Sequence, residues 1–359
     1  MVWPGCFARS GDAEMAQPRK MLLIRFSSLG DVVLSTAAFG PLRERFPDAE
    51  IYLLTKSRYA ELFECDPRLS GVLKWESGVP FHKQMSALRG MRFDLCIDLH
   101  ASLRSRLVGG LLSARCIRYR KHRLTRMAMV HLKRLPVRTR TVLDLYAAPL
   151  ARLGISKGMD RPRIFLEEGL LAKVEKELEE WGVRKEDEAV GVHPGAKWDA
   201  KRWEAKGFAQ VCNRILETGR KCLLLGDEGD LPFVQEIVSR MRHVPTLLVG
   251  ELDLSELTAV IRRCRALVCN DSGPMHIATA VDTPVVALFG PTHPRLGFAP
   301  MGTHDVVLTA NRPCSPCSLH GEKACRFSQR YCMEEISPDR VIAEIARIVS
   351  SPSPTSAPK

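Results

Sequence analysis

Twice along this chain, short β-rich apolar runs alternate with segments of helical period, and this alternation restricts the fold more than any other feature of the sequence. Such a pattern demands a parallel sheet covered by helices on both faces, because each strand must hide two apolar sides while the crossovers supply the cover. In the first half the expected strands are Met21 to Phe26, Glu50 to Thr55, Gly71 to Trp75, Phe93 to Leu99 and Cys116 to Arg120, with a helix over Asp31 to Phe46. The pattern breaks at Gly154 to Arg163, where Gly154, Gly158 and Pro162 precede a charged helix from about Glu167 to Trp181, and a linker is placed there. Alternation resumes with strands at Ala189 to His193, Lys221 to Leu225, Thr246 to Val249, Ala266 to Cys269 and Val285 to Phe289. A last helix is expected from Ser337 to Val349, with Ser337 as N-cap and Pro338 at the first helical position.

The expected class is therefore α/β, with two Rossmann-like doubly wound domains, 21–160 and 161–335, facing a central cleft, then a C-terminal helix and frayed tail over 336–359. A length of 359 residues suits two hydrophobic cores. Residues 1–20 mix Pro4, Gly5, Gly11 and Pro18 without periodicity and read as a disordered leader, with Met15 and Met21 as alternative starts. No apolar run nears the roughly 18 to 20 residues of a spanning helix, and no signal peptide stands at the start, so a cytoplasmic location is expected. The net charge of +12 calls for an acidic partner, whether nucleic acid, an anionic membrane face or a phosphorylated substrate.

In open α/β sheets ligands bind outside the carboxyl ends of the strands, so the loops there hold the candidates. Ser27-Ser28-Leu29-Gly30-Asp31 follows the first strand, where Gly30 allows close approach to the backbone and Asp31 either caps the helix or accepts a proton from an acceptor hydroxyl. A helix N-terminus stabilises the anion and so lowers its basicity. In the second half, the loop Gly191 to Trp198 and the following Asp199 to Trp203 carry Lys197, Lys201 and Arg202, cations suited to a leaving diphosphate or simply a solvated basic turn. Asn270-Asp271-Ser272-Gly273-Pro274-Met275-His276 opens a helix whose first amides would point at an anion, and His276 is either a phosphate ligand or a satisfied core histidine. Glu228, after another strand, is placed to hold ribose hydroxyls unless it is merely solvated.

Arg115 to Arg140 is densely basic and includes Arg118, Arg120 and Arg123; with Tyr119 as its sole aromatic residue it lacks the interleaved stacking platforms of single-strand readers. Cys314, Cys317, Cys325 and Cys332 form a late cluster whose first pair has C-x2-C spacing, open to structural zinc, a redox pair or packed thiols. The chain has no G-x-G-x-x-G after its first strand, no P-loop, no Asp-x-Asp and no H-E-x-x-H, which argues against ordinary dinucleotide, P-loop, metal-bridged sugar-nucleotide and zincin chemistry.

Taken together, Ile24 to Val33, Lys197 to Trp203, and Asn270 to Ala280 followed by Phe289-Gly290-Pro291-Thr292 resemble glycosyltransferase family nine, in the family's order and over about Met21 to Val349. The resemblance implies a GT-B fold and an inverting, metal-independent heptosyl transfer from ADP-heptose to the inner core of lipopolysaccharide, with no cofactor. It implies Asp31 as catalytic base, and Lys197, Lys201, Arg202, Glu228, Asp271, Ser272, Gly273 and His276 on the donor. Ser28, Gly30, Arg118, Arg120 and Arg123 fall to the acceptor, whose carboxylates and lipid A phosphates the basic stretch would meet. It further implies a monomer in peripheral contact with the inner face of the cytoplasmic membrane, and no nucleic acid partner. Two other readings stay open on the sequence: a GT-B transferase with another nucleotide-sugar, and a basic nucleic-acid-binding protein with a zinc-stabilised tail.

Overall fold

The structure, a computed structural model, describes residues 17–112, 114–132, 140–156 and 158–351, so most of the expected leader and tail lie outside the described residues. Five parallel strands make the first sheet: β1 (Lys20–Ile24), β2 (Glu50–Lys56), β3 (Gly71–Trp75), β4 (Leu95–Asp98) and β5 (Arg115–Arg118), in the order β3-β2-β1-β4-β5. Six make the second: β6 (Ala189–His193), β7 (Lys221–Gly226), β8 (Thr246–Val249), β9 (Ala266–Asn270), β10 (Val285–Phe289) and β11 (Val306–Thr309), in the order β11-β10-β9-β6-β7-β8. All pairings are parallel, and the central strands β6, β9 and β10 are buried at every residue, which is why they read as unbroken apolar runs.

The helices of the first half are α1 (Leu29–Ser35), α2 (Phe39–Arg45), α3 (Ser57–Ala60), α4 (Phe81–Gly90), α5 (Leu103–Leu111), α6 (Arg123–His131) and α7 (Val142–Ala151). Those of the second are α8 (Glu168–Glu180), α9 (Ala205–Glu217), α10 (Leu231–Val238), α11 (Leu254–Arg263), α12 (Gly273–Ala280), α13 (Tyr331–Glu334) and α14 (Pro338–Ser350). Ser337 caps α14 by accepting from the Arg340 amide, and the helix packs on α9 and on strands β9 and β10.

Two expectations need correction. The helix foreseen from Asp31 to Phe46 is interrupted by a 3-10 turn at Thr36–Ala38. The hydroxyls of Ser35 and Thr36 bond back to the carbonyls of Val32 and Val33, and Pro41 has no N–H to give the Ala37 carbonyl, which accepts from the Asp160 amide instead. The second sheet also has a sixth strand, β11, that the pattern did not foresee, because its four residues are mostly half-exposed at the sheet edge.

Between α7 and α8 the chain crosses from one sheet to the other, without regular structure over 155–156 and 158–167. It is fastened on both sides: Asp160 N–H donates to the Ala37 carbonyl at 3.2 Å, Arg163 N–H to Thr36 Oγ1 at 2.9 Å and Ile164 N–H to the Ala280 carbonyl at 3.1 Å. One apolar cluster runs through both halves, from Met21 and Val33 to Ile277 and Phe289, with a further layer on the other face of each sheet.

Candidate active site

Strand order reverses direction between β1 and β4 in the first sheet and between β6 and β9 in the second, and such switch points open a crevice at the strand ends. The loops singled out from the sequence after β1, β6 and β9 therefore lie at these points. Helices α1 and α12, which start there, meet each other. A Cβ on Gly30 would stand 2.4 Å from His276 Cδ2, and one on Gly273 would stand 2.7 Å from Leu29 Cδ2. The space on the Cβ side of Gly30 is thus filled by the His276 imidazole and Gly30 is buried, so the close approach this glycine permits is, on that side, made by the protein itself.

Asp31 accepts from Ser28 N–H at 3.2 Å and from Ser28 Oγ–H at 2.8 Å, and its Oδ2 lies 2.7 Å from Arg25 Nη2. The capping reading of this carboxylate holds, since it closes the capping box at the start of α1, and its side chain keeps 20% exposure. Burial opposes its charge, but the Arg25 guanidinium and the Ser28 bonds outweigh that and hold its pKa below the ordinary carboxylate value. Arg25 is itself buried, with Nη1 donating to the Leu99 carbonyl and the guanidinium 5.8 Å from the centre of the Tyr146 ring. Sequence reasoning assigned Arg25 no role; the signal was a lone cation closing an apolar strand.

Across from it, Lys201 Nζ donates to Asp271 Oδ2 at 2.7 Å and to the Asp271 carbonyl at 3.1 Å, while Thr292 Oγ1–H donates to the same Oδ2 at 2.6 Å. His276 is buried on the first turn of α12, and among the described residues neither its Nδ1 nor the buried Ser272 hydroxyl beside it has a hydrogen-bond partner. Burial lowers the His276 pKa to about 4 despite the carboxylates of Asp271 and Asp31, so the ring is neutral. The ring lies against Gly30, the residue before Asp31, and the charges of Asp271 and Asp31 favour its protonated form while Lys201 opposes it. Asn270 holds the loops in register: its amide donates to the Pro194 carbonyl at 2.7 Å and its carbonyl accepts from Trp203 N–H at 3.1 Å.

Arg202 pairs with Asp230 and Asp199, at 3.3 and 3.2 Å. Lys197 is exposed beside Trp198. Glu228 is exposed in the turn after β7. On the first half, a cavity of about 620 Å³ is lined by Arg118, Arg120, Lys121 and Arg123 of the basic stretch together with Arg106 and Arg152, which the sequence did not single out. Arg118 is anchored at 2.7 Å to Asp98, a buried carboxylate that also accepts from the amides of His100 and Ala101 and from the Ser105 hydroxyl. Burial lowers the Lys121 pKa, aided by the positive charge of Arg25.

The cysteine loop lies over the β10 end, where Ser315 Oγ–H donates to the Gly290 carbonyl at 2.6 Å and Cys317 N–H to the Pro291 carbonyl at 2.9 Å. A Cβ on Gly321 would touch Lys201 Cγ at 2.6 Å, so the same loop covers the lysine stem. Burial and the neighbouring thiols of Cys317, Cys314 and Cys325 push Cys332 up to about 11. Among the described residues no set of three His, Cys, Asp or Glu side chains is placed to hold a metal ion.

This arrangement of two switch-point loops has counterparts. The chain is 27% identical over 351 residues to lipopolysaccharide heptosyltransferase 2 of Salmonella typhimurium, covering 92% of this chain and 99% of that protein. Its fold matches the glycosyltransferase family 9 structure from Veillonella parvula with a TM-score of 0.78 at 23% identity, covering 92% of this chain and 97% of that one. It matches the E. coli ADP-heptose LPS heptosyltransferase II with a TM-score of 0.73 at 23% identity, covering 92% and 98%. The two stacked α/β halves are those of the GT-B architecture, and the model of glycosyltransferase family 9 (heptosyltransferase) matches residues 81–327, so the chain belongs to that family of glycosyl-transferring enzymes.

Proposed function

We propose that this enzyme transfers heptose from ADP-heptose to the inner core of lipopolysaccharide with inversion at the sugar carbon. The solved relative described as an ADP-heptose LPS heptosyltransferase supports the donor, and the Salmonella relative supports the acceptor class. The observation that carries the reading is the meeting of the two switch-point turns: the His276 ring, its Nδ1 unpartnered among the described residues, fills the space beside Gly30 next to Asp31, and Lys201 pairs with Asp271 in the same second-half loops.

In this mechanism residues 161–335 hold the nucleotide-sugar and residues 21–160 the acceptor. Asp31 takes the proton of the attacking hydroxyl. Its lowered pKa keeps it ionised but weakly basic in the empty enzyme, and a bound acceptor that displaces water raises its basicity. The amides at the start of α12, with Ser272 and Gly273, and the Nδ1 of His276 face the diphosphate, while Lys201 exchanges its partner Asp271 for phosphate as ADP departs. Lys197 and Arg202 add positive charge at the rim, and Glu228 receives ribose hydroxyls. Ser28 and the lining arginines Arg118, Arg120 and Arg123 take acceptor carboxylates and phosphates. No helix among the described residues is long and apolar enough to cross a membrane, and the basic face supports a monomer working at the inner surface of the cytoplasmic membrane.

Release of ADP from ADP-heptose in the presence of a lipid-free inner-core acceptor tests the reading. The Asp31→Asn enzyme is expected to lose roughly 10²–10⁴ in turnover while binding ADP nearly as before. Turnover with another nucleotide-sugar and none with ADP-heptose would overturn the donor, and an unimpaired Asn variant would remove Asp31 from the base role.

A further inference from the structure

Between Leu99 and Leu143 the chain has 12 lysines and arginines and no aspartate or glutamate. The net charge of the whole protein is also +12, so the remainder is neutral and the entire excess sits in this one stretch. Its two described helices do not behave as ordinary core-facing crossovers. On α5, Ser105, Val108 and Gly109 face inward, whereas Leu103, Leu107 and Leu111, at i, i+4 and i+8, are exposed by 77%, 49% and 41%. On α6, Leu124 is 82% exposed and Met127 38%, and Leu132 just beyond is 54% exposed.

Scattered apolar residues on a surface are normal, but repeated leucines on the solvent side of two neighbouring basic segments are not. Arg106 of α5 and Arg123 of α6 both line the 620 Å³ cavity, so the two leucine-bearing helices flank its walls. Apolar side chains set among arginines are the composition of a helix that lies in a bilayer surface, with the leucines among the acyl chains and the cations at phosphate level.

We propose that α5 and α6 are seated on an anionic lipid bilayer and place the basic cavity over it, so that a lipid-borne acceptor enters without leaving its membrane. This rests on the acceptor and membrane reading given above and adds the surface of the protein that makes the contact. A second copy of the chain would not suit it, since two such faces would bring like charges together.

Flotation of the full-length protein with phosphatidylcholine vesicles, with and without phosphatidylglycerol, tests the seat. Binding is expected only to the anionic vesicles and should fall as salt rises. The Leu103→Ser/Leu107→Ser/Leu124→Ser variant should lose roughly tenfold or more of that binding, while Val244→Ser, at an 89% exposed residue of the second half, should lose none. Hydrogen exchange on the wild-type protein provides a readout that does not depend on the variant folding: vesicles should protect 103–111 and 123–131. Equal binding to neutral vesicles, protection confined to other segments, or self-association through these leucines overturns the proposal. ADP release with a lipid-free acceptor separates the two readings, because it should survive the leucine changes; vesicle binding without any heptosyl transfer would instead fault the function.

Discussion

Gly30 and His276 carry the most specific consequence at the level of single residues. A methyl group on Gly30 would sit 2.4 Å from the imidazole, so Gly30→Ala should cost about 1–3 kcal/mol in urea denaturation, even though alanine is the better helix former. Adding His276→Ala to the same chain should recover most of that loss, and a Gly30→Ala protein as stable as wild type would show that the ring yields freely. The sequence marked Asp31, Lys201, Asp271 and His276 because each follows a strand that had to end at the crevice. It gave no role to Arg25, which is fixed by the Leu99 carbonyl beyond a neighbouring strand as well as by Asp31, nor to Asp98, whose partner Arg118 lies on the next strand. It also gave Gly30 a ligand for a neighbour, since periodicity says nothing about which atoms of the opposing half fill the space.

The strands were the legible elements, and for a physical reason. Strands buried on both faces are written as continuous apolar runs, so Ala189–His193 and Val285–Phe289 emerge at the residues expected; the edge strands Gly71–Trp75 and Thr246–Val249 do so as well, though they are only partly buried. Where the side chains compete with the backbone, as at Ser35 and Thr36, the helical period persists in the sequence while the helix itself breaks. The turn after β4 is the element most dependent on a single group. Asp98 is buried and accepts from two amides, a hydroxyl and a guanidinium, so Asp98→Ala should destabilise the protein by about 3–5 kcal/mol and collapse the cavity wall that Arg118 forms. Asp98→Asn, which keeps an oxygen toward the two amides, should lose less. Chemical denaturation of the three proteins ranks them, and an Ala variant within 1 kcal/mol of wild type would contradict the dependence.

For the molecule as a whole, pH acts through buried neutral histidines. His276 and His100 titrate near about 4 because burial disfavours their charged forms, and His193 is lowered for the same reason. A lowered folded pKa means that the unfolded chain binds the proton first, so stability is complete above about 6.5 and falls as pH drops toward about 4. His276 alone contributes on the order of 3 kcal/mol of this slope. Urea midpoints measured across that range should decline steadily, and the decline should be shallower in His276→Gln; a level profile would refute neutral burial. The reciprocal fit of α1 and α12 reaches further than either sheet. Gly30 receives His276 and Gly273 receives Leu29, so each turn is the mould for the other. In a hybrid enzyme that joins this chain's leading half to a cousin's trailing half, both turns must come from one parent, however freely the outer strands and helices are exchanged.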